Sequence, residues 1–170
     1  MRDLTSSWPS VPDWRGANID HNGLAARTID VGPQHLVSGN LSGFATAAGL
    51  PDTGVGAFGD VSGDRYALRI ARDRLLAVNA PSSSTPAGWH AHGYAITDVS
   101  AMYHVFEFEG PGLADLIAEA MFVDPRAKSP SAATVFAAQQ AIVYHRDGKL
   151  RIHVERGFAP YVWQWLEARD

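Results

Sequence analysis

Ala141-Ile142-Val143-Tyr144-His145-Arg146-Asp147-Gly148-Lys149-Leu150-Arg151-Ile152-His153-Val154 reads as two strands joined by a two-residue turn. Asp147-Gly148 is a residue pair that tolerates the positive φ angles of a type I′ hairpin. A two-residue loop there places Val143 opposite Ile152 and His145 opposite Leu150. Ala141, Val143, Leu150, Ile152 and Val154 then fall on one face, so turn chemistry and hydrophobic register agree. An antiparallel hairpin of this kind, buried on one side, points to a sheet covered by helices.

Working outward, the chain closes with a helix predicted from about Phe158 to Ala168. Phe158, Tyr161, Val162, Trp165 and Leu166 stand there in helical spacing, on the arc expected to meet the sheet. Trp163 lies outside that arc, which marks it either as an anchor for another chain or as a residue covered by the N-terminal segment. Upstream, Leu113, Leu116, Ile117, Ala120 and Met121 follow i, i+3, i+4, i+7, i+8 and predict a second amphipathic helix. Strands are predicted at Tyr66–Ala71, Leu75–Val78, Tyr94–Thr97, Tyr103–Phe108 and Thr134–Ala138. The order β-β-β-β-α-β-β-β-α gives an α+β fold, an antiparallel or mixed sheet with two packed helices. The connections are too short for a doubly wound parallel sheet.

The N-terminal part is different in texture. Trp8, Val11, Trp14, Ile19, Leu24, Ile29, Val31, Leu36 and Val37 recur there without helical or strand period. Residues 1–45 are therefore expected to form an extended arm laid over a surface, its own or a partner's, and residues 46–170 a single domain. Trp8 and Trp14 in the arm join Trp163 as candidate subunit-interface residues.

Composition narrows the chemistry. Apolar residues make up 46% of the chain, enough for one core, with no run approaching a membrane span. The absence of cysteine removes thiolate catalysis, disulfides and cysteine-ligated metals. A net charge of -4 with Lys128 and Lys149 the only lysines leaves no nucleic-acid or polybasic membrane footprint. A soluble, cytoplasmic protein is expected.

Motifs that carry chemistry are incomplete. Gly54-Val55-Gly56-Ala57-Phe58-Gly59 matches a dinucleotide-binding glycine pattern but lacks the strand before and the helix after that aim amides at a pyrophosphate. It reads as a connection. His90 and His92 form an H-x-H pair without further ligands nearby, so no metal site is assigned. Gly59-Asp60-Val61-Ser62-Gly63 has Asp60 where a nucleophile elbow needs glycine. Glu107 and Glu109 share a strand face and are expected to be solvated rather than paired for acid–base work. Asn40-Leu41-Ser42 is a sequon without a secretory context. No catalytic, cofactor-binding or metal-binding residue is assigned.

An ordered string of short motifs carries a resemblance. Ile96-Thr97-Asp98-Val99-Ser100, then Phe106-Glu107-Phe108-Glu109-Gly110-Pro111 entering a helix, then Phe122-Val123-Asp124, and finally Val154-Glu155-Arg156-Gly157-Phe158-Ala159-Pro160-Tyr161-Val162-Trp163-Gln164-Trp165-Leu166 resemble the gamma subunit of heterotetrameric sarcosine oxidase. That family is related to the folate-binding domain of the glycine-cleavage T-protein, an aminomethyltransferase. Gly49-Leu50-Pro51 and Leu68–Leu76 fit more loosely. Within the pattern, Gly157 replaces a usual serine and Leu75 a usual tryptophan. Aminomethyltransferases carry paired aspartates where this chain reads Ala137-Ala138-Gln139-Gln140-Ala141-Ile142-Val143-Tyr144, with no carboxylate to act as base.

The resemblance thus implies an aminomethyltransferase-like fold without that chemistry. It implies a noncatalytic structural subunit of a flavin-dependent oxidase acting on sarcosine or another N-methyl amine. The expected partners are alpha and beta flavoprotein subunits and a small metal-binding delta subunit. FAD, FMN, NAD and tetrahydrofolate are expected in those partners and no cofactor in this chain. The alternatives are a free-standing folate-dependent aminomethyltransferase-like protein and a small-ligand binding module of the same fold.

Overall fold

The computed structural model describes residues 11–50, 53–83, 85–127 and 129–169. In chain order the elements begin with strands β1 (Asn18–His21), β2 (Leu24–Ile29) and β3 (Gln34–Gly39), helix α1 (Leu41–Ala48) and the short strand β4 (Asp60–Val61). Strands β5 (Tyr66–Ala71), β6 (Arg74–Val78), β7 (Gly88–His90), β8 (Tyr94–Asp98) and β9 (Tyr103–Glu109) lead to helix α2 (Leu113–Ala120). Strands β10 (Ala133–Phe136), β11 (Gln139–Arg146) and β12 (Lys149–Glu155) follow. A 3-10 turn, Arg156–Phe158, enters helix α3 (Ala159–Glu167).

The decisive hairpin has the register its residues demand. Val143 faces Ile152 and His145 faces Leu150, around a turn with Asp147 at φ 52° and Gly148 at φ 76°. A second hairpin is built the same way. Asn22 at φ 53° and Gly23 at φ 70° turn β1 back as β2.

The strands form two sheets. One has seven strands in the order β1-β2-β9-β12-β11-β10, with β4 pairing parallel to β11; the other has five in the order β5-β6-β3-β8-β7. All the ladders except β4 with β11 are antiparallel. On one face of the larger sheet, Phe106, Phe108, Ala141, Val143, Leu150, Ile152 and Val154 pack with Leu116 and Ile117 of α2 and Val162, Trp163 and Leu166 of α3. From its other face Ile142 and Tyr144 meet Tyr66, Leu68, Leu76 and Val78 of the smaller sheet. The reverse of the smaller sheet, with Val37, Leu75, Ala77 and Ile96, is covered by Leu41, Phe44, Ala45 and Ala48 of α1. The result is a four-layer α/β/β/α stack, each layer hiding an apolar face that alternation placed there.

Three sequence expectations are corrected. The single sheet with two helices is, among the described residues, two sheets with three α-helices. The extended arm at 1–45 is, over its described part, β1, β2, β3 and the start of α1. Strand β2 pairs with both β1 and β9, and β3 lies between β6 and β8 at the centre of the smaller sheet. The alternation is hidden at β3, which begins with Gln34 and His35, both buried, so that polar residues occupy positions an alternating pattern reserves for apolar ones. The domain accordingly extends upstream of residue 46. Finally, the closing α-helix begins at Ala159 and not at Phe158.

Candidate functional site

Of the three interface candidates, Trp8 lies outside the described residues. Trp14 is half-buried: its ring lies 4.4 Å from that of His104 and meets Trp163 edge-on at 6.0 Å, while its carbonyl accepts from Thr28 Oγ1. Trp163 is only 2% exposed, stacks on Phe106 at 6.0 Å and donates from Nε1 to Glu167 Oε1 at 2.8 Å. It is a core residue and not a surface anchor. The buried face of α3 is Ala159, Val162, Trp163 and Leu166, an i, i+3, i+4, i+7 seam turned toward Phe106 and Trp14. Phe158 and Tyr161 then turn outward, 46% and 44% exposed. Trp89 on the edge strand β7 and Phe122 after α2 are the most exposed large apolar side chains among the described residues.

Between the sheets runs a polar seam. Glu107, expected to be solvated, is 2% exposed. It stands directly opposite Arg27 on β2 and Arg151 on β12, so all three side chains project from one face of neighbouring strands. Arg27 Nε donates to Oε1 at 3.0 Å and Arg151 Nε to Oε2 at 2.7 Å, with Lys149 Nζ 3.5 Å away. Burial pushes the Glu107 carboxyl up, but the hydrogen bonds and charges of Arg27 and Arg151 outweigh it and hold it below the ordinary range. Glu109 is exposed and pairs with Lys149 at 2.9 Å.

The seam continues through aromatic and imidazole groups. Tyr66 and Tyr144 share a hydroxyl–hydroxyl bond of 2.7 Å, Tyr144 Oη lies 3.1 Å from His153 Nε2, and His153 Nδ1 lies 2.8 Å from Gln34 Oε1. Burial, helped by the charge of Arg151, pushes the His153 imidazole down to about 3, so it is neutral. Burial and the neighbouring Tyr66 raise the Tyr144 phenol. These groups satisfy one another. Both oxygens of Glu107 are occupied by cations, so it has no lone pair left to take a substrate proton.

Two clefts open where the chain crosses from one sheet to the other. A cavity of about 750 Å³ is lined by Trp14, Thr28 to Gln34, Ser100, Tyr103 to Val105, Arg15 and Arg156. On the other side of Ile29–Gly32, a polar cleft of about 390 Å³ carries Arg27, Glu107, Arg146, Arg151, Asp30 and Asp64. His104 lines the first. Burial and the charge of Arg156 push its imidazole down to about 4, and its Nε2 is buried without a hydrogen-bond partner.

The remaining motifs have structural places. The run Gly54 to Gly59 leads from a bridge, Val55 beside Leu68, into β4, and a Cβ on Gly56 would lie 1.7 Å from the Ser129 carbonyl oxygen. Close backbone approach explains that glycine. His90 bonds to the Pro86 carbonyl at 2.9 Å and stacks on Tyr94, while His92 is exposed. Ser62 is exposed. Asn40 caps α1, its side chain accepting from Gly43 N at 3.1 Å. Among the described residues no group of three or more potential ligands could hold a metal ion, and no helix is long and apolar enough to cross a membrane. What sequence reasoning missed is the Arg27–Glu107–Arg151 set. Its signal, the Asn22-Gly23 turn that creates β2, was present in the sequence.

No protein-family model matches the sequence. No curated protein matches it. Among solved structures the fold is similar to a chain of the heterotetrameric sarcosine oxidase from Corynebacterium sp. U-96, in complex with pyrrole 2-carboxylate. The TM-score is 0.67 at 21% identity, over 84% of this chain and 81% of the other. At that identity the likeness is one of fold.

Proposed function

We propose that this chain is the gamma-type, noncatalytic subunit of a flavin-dependent oxidase that demethylates sarcosine or a related N-methyl amine. The observation that carries the reading is the fold shared with a chain of a heterotetrameric sarcosine oxidase, a chain of similar length, since each covers more than four fifths of the other. Supporting it, the titratable groups between the sheets are engaged with one another and hold the layers together. Exposed Trp89, Phe122, Phe158 and Tyr161 offer apolar contact area to other subunits.

On this reading the chain acts in the cytoplasm beside alpha and beta flavoprotein subunits and a small metal-binding delta subunit. Those subunits carry FAD, FMN, NAD and tetrahydrofolate, oxidise the amine and pass its methyl carbon to folate. The chain's aminomethyltransferase-like fold serves as a rigid wedge between them. The test is tagged purification from the native host followed by mass spectrometry. Recovery with two large flavoproteins and a small metal-binding chain is expected. Recovery of the chain alone, with those proteins present in the same extract, would overturn the reading.

A further inference from the structure

We propose that the uncovered end of the larger sheet, beside Ile70, binds an alkylammonium group, a primary ammonium on an aliphatic stem. The face concerned is the one that carries Ile142 toward the smaller sheet. Paired residues on neighbouring strands project to the same side, so the register lays four side chains in a row across β9, β12, β11 and β10. Tyr103 stands opposite Glu155 and Val135 opposite Gln140, and one step beyond the Ala141–Val154 pair sets Gln140 beside Glu155. At the usual strand spacing the row spans roughly 14 Å. With Ile70 of β5 and Ile142 it lines a trough of about 330 Å³, within the size of small-molecule sites.

The two ends of the trough differ. At one, Ile70, Val135 and Ile142 present aliphatic surface, with Val135 39% exposed. At the other, Glu155 is exposed and enters no ion pair among the described residues. Burial and the charge of Glu155 raise the Tyr103 phenol, so it stays a neutral hydroxyl. That hydroxyl has no hydrogen-bond partner among the described residues and is not buried. A carboxylate beside a free phenol oxygen offers acceptors to the three N–H groups of an ammonium, while the aliphatic end takes its stem.

The lining also says what does not fit. No lysine, arginine or histidine borders the trough, and Arg156, next in sequence to Glu155, borders the other cleft. Nothing there receives a carboxylate, and an amino acid would bring its own beside Glu155 without a counter-charge. The inference therefore goes beyond the proposed function and does not rest on it.

The test is an amide-resolved NMR titration of the full chain with hexylammonium, with hexanol as the uncharged control of the same shape. Saturable shifts are expected at the amides of Tyr103, Val135, Gln140, Ile142 and Glu155, with hexanol at least fivefold weaker. Glu155→Gln, a change at an exposed side chain, should weaken hexylammonium at least fivefold, and Tyr103→Phe should weaken it several-fold. Asp20→Asn, which removes an exposed carboxylate on β1, should leave it unchanged. Nα-acetyl-lysine methylamide carries the same group as a protein side chain; if it binds more tightly than hexylammonium the source is a lysine of a partner, and if more weakly a free amine, either result supporting the proposal. Absence of saturable shifts at those amides, hexanol binding as tightly as hexylammonium, or undiminished affinity in Glu155→Gln would overturn it. Because the titration uses the chain alone, its outcome is separate from that of the co-purification.

Discussion

Glu107 acquires its partners from pairing: the residues directly opposite it on both neighbouring strands are arginines. Glu107→Gln keeps the shape but leaves Arg151 facing a neutral amide, and a loss of about 2–3 kcal/mol in urea-unfolding free energy is expected. His104 and His153 carry a pH dependence. Both are pushed below the ordinary histidine value of 6.5, to about 4 and about 3, so the unfolded chain binds protons the folded chain refuses. Their neutral form therefore contributes stability that is complete above pH 6.5 and is lost as pH falls toward 4, at up to about 1.4 kcal/mol per pH unit for each ring. Thermal midpoints measured between pH 7 and pH 4.5 should fall, and His153→Gln should flatten that slope; an unchanged slope would show that His153 is not the group responsible. Trp163→Ala removes a ring stacked on Phe106 and met edge-on by Trp14 and is expected to cost about 3–5 kcal/mol in the isolated chain. A neutral result there would return Trp163 to the surface.

At the scale of elements, α3 shows that helical spacing leaves the exact buried arc to tertiary packing. Val162 and Leu166 belong both to the arc predicted with Phe158 and Tyr161 and to the observed one; packing of Trp163 against Phe106 and Trp14 turns the buried arc toward Ala159 and Trp163 and leaves Phe158 and Tyr161 outward. Phe158→Ser and Tyr161→Ser should therefore leave the unfolding free energy of the isolated chain within about 0.5 kcal/mol, whereas either change on the sheet-facing side of α3 would not. Helix α1 carries a local signature. Asn40 as cap, Leu41, Phe44, Ala45 and Ala48 at i, i+3, i+4, i+7, and Gly49 at φ 63° complete a helix signature. Gly43 inside it and a length of only eight residues weakened the signal. Strands β1 and β2 are joined by Asn22-Gly23, the same turn chemistry as at Asp147-Gly148. Strand β3 was not legible, since its buried Gln34 finds its partner, His153, far along the chain.

For the whole molecule, the N-terminal third is structural. Strand β2 bridges β1 to β9 and β3 bridges β6 to β8, so deleting residues 18–45 removes an inner strand from each sheet. Loss of cooperative unfolding is the expected outcome, measured by thermal circular dichroism; a truncated chain that melts cooperatively would restore the idea of a detachable arm. The sequence by itself determined the elements whose signals are local: the turns at Asn22-Gly23 and Asp147-Gly148, the α2 face, the β11–β12 register and the alternation that buries Val143 and Ile152. These depend on residues within a few positions of one another, and backbone sterics with side-chain period decide them. Only the tertiary structure decided that the strands divide into two sheets, that Glu107 is clasped by two arginines, and that His104, Arg15 and Arg156 border one cavity. Each of these joins residues brought together by pairing across long stretches of chain, such as Arg27 with Glu107 and Gln34 with His153. No local propensity encodes which strand becomes the neighbour of which.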